Sequence, residues 1–144
     1  MNIDKFKHQH LDILARIDHL RTLTRAGVIA NAGALAQGIV AISAVIKLHL
    51  SVEDQALYPA LQRSDDAGLA RLGQRFQHDM GPIAAAFDAF ARRWNTAARL
   101  CADEAGFRRD ANDVLRRVYE RMKHEDRDFY PRIEAAQETA AAQP

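Results

Sequence analysis

The sequence predicts an all-α protein that folds as one up-down-up-down four-helix bundle. No segment shows a sustained period-two alternation of apolar and polar residues, whereas apolar residues recur at spacings of three and four along nearly the whole chain. A chain of 144 residues with 48% hydrophobic residues is also long enough for one core and short for two. We therefore assign residues 1–137 to the bundle and residues 138–144 to a flexible C-terminal tail.

The first two predicted helices carry polar residues on otherwise apolar stripes. The first helix is expected to end near Gly27, and His10 lies in the middle of its stripe. The second is expected over about residues 31–61, with His49 and Glu53 close to its apolar line. The stripe of the first helix consists of Ile3, Phe6, Ile13, Ile17 and Leu20.

The third and fourth predicted helices follow two polar breaks. The third begins after "RSDDAG", where Ser64 or Asp65 is the expected cap, and ends at "CADEAG". Pro82 predicts a kink within it. The fourth is expected over about residues 107–137.

Composition and charge exclude several classes of protein. The formal charge of +1 includes no basic block, so we expect no nucleic-acid partner. The only cysteine, Cys101, cannot form an internal disulfide, which indicates a reducing, cytoplasmic location. Residues 26–46 carry no charge, but Asn31, Gln37 and Ser43 interrupt them, so we expect a buried helix and no membrane partner. Its Ala/Gly-rich face lies either under the other helices or in a homodimer interface.

The polar residues on the stripes indicate a metal site. An imidazole or a carboxylate buried without a partner is costly, so His10, His49 and Glu53 require an explanation. Four residues advance a helix by about 400°, so His49 and Glu53 differ by only about 40° and aim at one point. Imidazole and carboxylate are common ligands of first-row metals. The alternative is a His-Glu hydrogen bond in an ordinary core.

Two similar segments extend this pattern to a known family. "HLSVEDQALYP" starts at His49, and "HEDRDFYP" starts at His124. With the histidine of the first helix, they resemble the hemerythrin-like HHE cation-binding proteins over nearly the whole chain. The resemblance implies a four-helix bundle around a non-haem di-iron centre with histidine and bridging carboxylate ligands. It further implies reversible oxygen binding, oxygen or iron sensing, or iron handling. The Glu-x-x-His motif of ferritin-type sites does not occur.

The second segment departs from the family pattern. Aligning "FYP" with "LYP" places Glu125 opposite Glu53, but Arg121 opposite His49. Glu125 lies within about 40° of the apolar stripe of the fourth helix, whereas His124 lies about 140° away. Glu125 is therefore the better candidate ligand. The long side chain of Arg121 could reach inward to pair with Glu53 or Glu125 and replace a metal charge.

The third helix has the same difficulty, because Met80 rather than His78 falls on its buried line. A bulge at Gly81 and Pro82 would turn His78 inward. The predicted metal ligands are thus a core set and two additions. The core set is His10, His49, Glu53 and Glu125, and the additions are His78 and His124.

Two functions follow from this pattern. The first is a metal-binding bundle that holds iron, or another divalent metal, and takes dioxygen as a ligand or handles iron, with affinity falling below about pH 6. The second is a degenerate, metal-free bundle that serves as a scaffold or partner-binding module through an Arg121-carboxylate network. No Ser-His-Asp order or phosphate loop appears, so any enzymatic activity would be metal-centred oxygen or peroxide chemistry.

Overall fold

The computed structural model describes residues 1–142 and confirms the predicted helical bundle; the last two residues of the predicted tail lie outside it. No strand occurs among these residues. Two π-helical turns, Glu53–Leu57 and Glu125–Phe129, connect α2 to α3 and α6 to α7. The α-helices are α1 (Ile3–Ala26), α2 (Ala32–Val52), α3 (Tyr58–Gln62), α4 (Ala67–Arg93), α5 (Ala97–Ala102), α6 (Glu104–His124) and α7 (Tyr130–Ala142). The four long rods of the bundle are α1, α2 with α3, α4, and α6 with α7.

The connection between α1 and α2 depends on a glycine. Gly27 adopts φ 134°, a conformation that favours glycine, and its N–H donates to the carbonyls of Leu23 and Thr24. The helix therefore ends where the sequence predicts. Farther along α2, a Cβ on Gly38 would lie 2.8 Å from Leu20 Cδ2, so this glycine lets α1 and α2 approach closely.

The connections around α4 differ from the prediction in two respects. Asp66, rather than Ser64 or Asp65, caps α4, because its Oδ1 accepts from the N–H of Leu69 at 3.0 Å. The third long helix also ends at Arg93, well before "CADEAG", and the short helix α5 follows it. Thr96 starts α5 by accepting from the N–H of Arg99 at 3.3 Å. Despite Pro82, α4 runs as one α-helix from residue 67 to residue 93.

The core consists of two apolar clusters with a polar layer between them. The buried polar and charged side chains in residues 1–142 are those of this layer: His10, His49, Glu53, Arg121 and Glu125. The large apolar cluster includes Ile13, Ile17, Ile42, Ile46, Met80, Val118 and Met122. The small apolar cluster is Ile3, Phe6, Leu57, Tyr58, Leu61, Leu69, Phe76, Phe129, Tyr130 and Ile133. Apolar packing on both sides therefore shields the polar layer from water.

One long helix is apolar enough to be compared with a membrane span. Residues Ala32–Gln62 contain an 18-residue stretch whose length and mean hydropathy of 1.7 would allow it to cross a membrane, and 33% of that stretch is buried. Core helices of bundles meet the same criteria. The buried side of α2 includes Leu35, Ile39 and Ile42, while Val40 and Leu48 are exposed.

At the other end of the chain, residues 138–142 continue α7 and are exposed. The proposed boundary between bundle and tail remains a prediction.

Candidate metal centre

The polar layer brings together the four core residues predicted from the sequence. His10 comes from α1 and His49 from the last turn of α2, whereas Glu53 and Glu125 are the first residues of the two π-helical turns. Each of the four side chains is at most 1% exposed. They lie between the two apolar clusters because apolar residues flank them on each rod. Residues far apart in sequence thus form one buried cluster.

The two π-helical turns place the glutamates. Each turn starts at a glutamate and is followed by a Tyr-Pro pair, and the N–H of Tyr58 donates to the Glu53 carbonyl five residues earlier. Tyr130 and Glu125 repeat this bond. Proline has no N–H and its ring crowds the preceding turn, so we attribute the widened turns to Pro59 and Pro131. π-Helical turns of this kind are frequent at functional sites.

The ligand atoms face one another at short distances. The Nε2 atoms of His10 and His49 are 3.0 Å apart. Glu53 Oε1 lies 2.9 Å from Nε2 of His49, and Glu125 Oε1 lies 3.2 Å from Nε2 of His10. One ligand atom each of His10, His49 and Glu125 fall within 4.8 Å of one another. These three residues could form a metal site, and Glu53 adjoins it.

The outer nitrogen of each histidine has a partner that fixes the ring. Asp126 Oδ1 accepts from Nδ1 of His10 at 2.7 Å, and Gln9 Oε1 accepts from Nδ1 of His49 at 2.6 Å. A carboxylate can only accept, so Nδ1 of His10 carries the proton. Neutral imidazoles held in this way present Nε2 lone pairs to the centre, as metal-binding histidines usually do. The sequence analysis missed Asp126 and Gln9, although each is adjacent in sequence to a predicted ligand.

The donor set fits a divalent cation. Glu53 Oε1 and Glu125 Oε1 are buried and have no hydrogen-bond partner among the described residues. A metal ion binds an imidazole through the lone pair of an unprotonated nitrogen. In that form the two Nε2 atoms and the two carboxylate oxygens would all face one ion. A first-row metal ion accepts this mixture of nitrogen and oxygen ligands. The arrangement of the four side chains is therefore better explained by a bound metal ion than by hydrogen bonds among the side chains themselves.

The buried negative charge of the layer also raises the pKa values of His10 and Glu53. Burial by itself lowers the pKa of His10, but the hydrogen bond to Asp126 and the close negative charge of the Glu125 carboxylate outweigh it and raise the pKa to about 9. Burial and the nearby charge of Glu125 raise the pKa of Glu53. In the metal-free protein, a proton on His10 therefore balances part of this negative charge.

Two tyrosines of the small apolar cluster, Tyr58 and Tyr130, adjoin the layer, and neither was predicted from the sequence to have a role there. The hydroxyl of Tyr130 donates to Glu53 Oε2 at 3.2 Å and lies 3.0 Å from His10 Nε2. Burial, and then the charges of the two glutamates, raise the pKa values of Tyr58 and Tyr130. Both phenols are therefore neutral at physiological pH, and Tyr130 is the one whose hydroxyl donates to a carboxylate among the described residues. A tyrosine five residues after each glutamate was the signal in the sequence.

Arg121 and Met80 occupy the positions where the family resemblance implies histidines. Arg121 is buried and its Nη2 lies 3.4 Å from Glu125 Oε2, in line with one of the two predicted pairings. The same Nη2 donates to the carbonyl of Phe76 at 2.6 Å. Met80 is buried in the large apolar cluster. Neither residue adds an imidazole to the layer.

His78 and His124 lie outside the layer, and their role as additional ligands stays a prediction that this structure does not support. Both are exposed. α4 stays regular through Pro82, so no bulge turns His78 inward. The ring of His124 packs against Phe76 at 4.9 Å, on the outer side of α6.

Comparison with known proteins agrees with this geometry. A family model described as "Hemerythrin HHE cation binding domain" matches residues 1–133. Searches among curated proteins and among solved structures found no match. The matched range includes every residue of the polar layer, so the candidate centre lies wholly within the part of the chain that the family describes.

Proposed function

The chain belongs to the hemerythrin HHE cation-binding domain family, and we propose that its polar layer binds non-haem iron for oxygen binding, oxygen sensing or iron handling. The proposed ligands are His10, His49, Glu53 and Glu125. The main support is the pair of buried, unpartnered carboxylate oxygens that face two imidazole nitrogens. Manganese or zinc would suit the same donors, so elemental analysis decides the metal.

The surrounding residues prepare the layer for such an ion. Asp126 and Gln9 hold the two imidazoles by their outer nitrogens and keep Nε2 directed inward. Tyr130 places a hydroxyl donor at Glu53 Oε2 and close to His10. The two apolar clusters exclude water, which strengthens electrostatic interactions inside. Bound ferrous iron would supply a redox-active centre with affinity for dioxygen.

Metal analysis after loading tests this proposal. The protein is incubated anaerobically with ferrous iron, desalted and analysed for metal per chain, and its absorption spectrum is recorded on admitting air. We expect retained iron and new near-ultraviolet or visible bands. Glu53→Gln should reduce retained iron because it removes one anionic ligand, whereas Glu120→Gln on the exposed side of α6 should not. Equal iron in both variants, or none in the natural chain, would refute the proposal.

One observation favours the alternative of a metal-free scaffold. The buried guanidinium of Arg121 already lies 3.4 Å from Glu125 and partly balances the carboxylates. A scaffold predicts that a chelator leaves the melting temperature unchanged, whereas bound metal predicts a clear decrease, because a ligand of the native state adds stability by mass action. We favour the metal because Arg121 does not reach the two carboxylate oxygens that lack partners.

A further inference from the structure

Two segments of the chain form an internal repeat in both sequence and structure. The first repeat (residues 49–59) and the second repeat (residues 121–131) each place a glutamate at position five and end in Tyr-Pro. In each, the glutamate opens a π-helical turn and is buried. The residue at position one is His49 in the first repeat and Arg121 in the second, and both are buried. The two side chains therefore occupy equivalent places in the polar layer.

Glu125 links the two halves of this layer. Its Oε1 lies 3.2 Å from His10 Nε2, on the side where the imidazoles meet. Its Oε2 lies 3.4 Å from Nη2 of Arg121, on the opposite side. One carboxylate thus has one oxygen directed at the histidines and the other directed at a fixed cation.

Arg121 is held firmly in this place. Its Nη2 donates to the Phe76 carbonyl at 2.6 Å, and its guanidinium carbon lies 4.7 Å from the centre of the Phe76 ring. A guanidinium stays charged at every pH at which the protein folds. Met80, buried in the large apolar cluster, has only a thioether, which is a soft ligand and a poor one for ferrous iron.

We propose that the guanidinium of Arg121 is a built-in cation that takes the place of a second metal ion, so that the centre holds a single ion. This inference rests on the proposed function. Arg121 neutralises one of the two buried carboxylates, and one divalent ion at the histidines balances the other with a single positive charge left over. A second divalent ion would add two more positive charges to a buried layer, which is costly without further anionic ligands.

Metal stoichiometry in matched variants tests the proposal. Each protein is titrated anaerobically with ferrous iron, and separately with cobalt(II), and the ions retained per chain and the cobalt absorption bands are measured. We expect one ion in the natural chain and one in Arg121→Lys, which keeps a cation. Arg121→His gives the second repeat the ligand types of the first, and Met80→His adds a further imidazole on α4. With both substitutions combined, we expect two ions. Arg116→His is the matched control on the exposed side of α6 and should retain one.

The outcomes separate this inference from the proposed function. Two ions in the natural chain would overturn the inference and leave iron binding intact. One ion in the double variant would also overturn it, because removing the cation and adding imidazoles would then have opened no site. No ion in the natural chain would refute the proposed function and, with it, the inference that rests on it. The natural chain and Arg121→Lys decide the stoichiometry even if the double variant does not fold.

Discussion

Raising the pH should destabilise the metal-free protein between about pH 6.5 and pH 9. His10 has an ordinary pKa of 6.5 and a folded-state pKa of about 9, where Asp126 and Glu125 raise it against the opposing effect of burial. Protonated His10 therefore stabilises the fold fully below about pH 6.5, and this contribution is lost as the pH rises through about 9. At 1.36 kcal/mol per unit, the shift corresponds to about 3 kcal/mol.

For a chain of this size, that loss corresponds to a decrease of roughly 10 °C in melting temperature. The assay is thermal and urea unfolding of chelator-treated protein at half-unit steps from pH 6 to pH 9.5. The groups that face His10 are His49 on α2, Glu125 and Asp126 on the second π-helical turn, and Tyr130 on α7. Asp126→Asn removes a principal cause of the raised pKa and should flatten the decline. Constant or increasing stability over this range would refute the reasoning.

Three further predictions concern the same layer. Metal affinity should rise about tenfold per pH unit from pH 7 to 9 in competition titrations, because the ion must displace the proton of His10, and a flat profile would contradict this. Asp126→Asn should weaken metal binding about 10- to 100-fold through loss of the partner at Nδ1, whereas the exposed Asp128→Asn should not. Tyr130→Phe should cost the metal-free protein about 1 kcal/mol in urea unfolding by removing the donor to Glu53, and an unchanged midpoint would argue against that bond.

The four residues of the candidate centre could be predicted because their positions depend on local periodicity. His10, His49, Glu53 and Glu125 lie on apolar stripes, and helical phase together with the cost of burying a charge is enough to identify them. The fold class follows from the same periodicity. The expected weakening of metal binding below about pH 6 assumed an unperturbed imidazole, and the carboxylates around His10 move this window upward.

The remaining features depend on contacts between elements. Asp126 and Gln9 are on the outer sides of their helices by phase, and only the packing of α1 against neighbouring helices brings them to an imidazole nitrogen. A kink was predicted at Pro82, and the π-helical turns before Pro59 and Pro131 were not predicted. Pro82 lies within a helix that tolerates it, whereas the other two prolines follow a buried tyrosine.

The proposed ligands would also affect the order of events in folding. His10 and Asp126 are separated by 116 positions, so the complete ligand set exists only after the first and last rods of the bundle have docked. An ion that needs all four side chains contributes little to the transition state, so it should slow unfolding while leaving the folding rate nearly unchanged. The metal would hold the first and last rods together and so increase the kinetic stability of the fold, and the rate of metal release would set the lifetime of the native state.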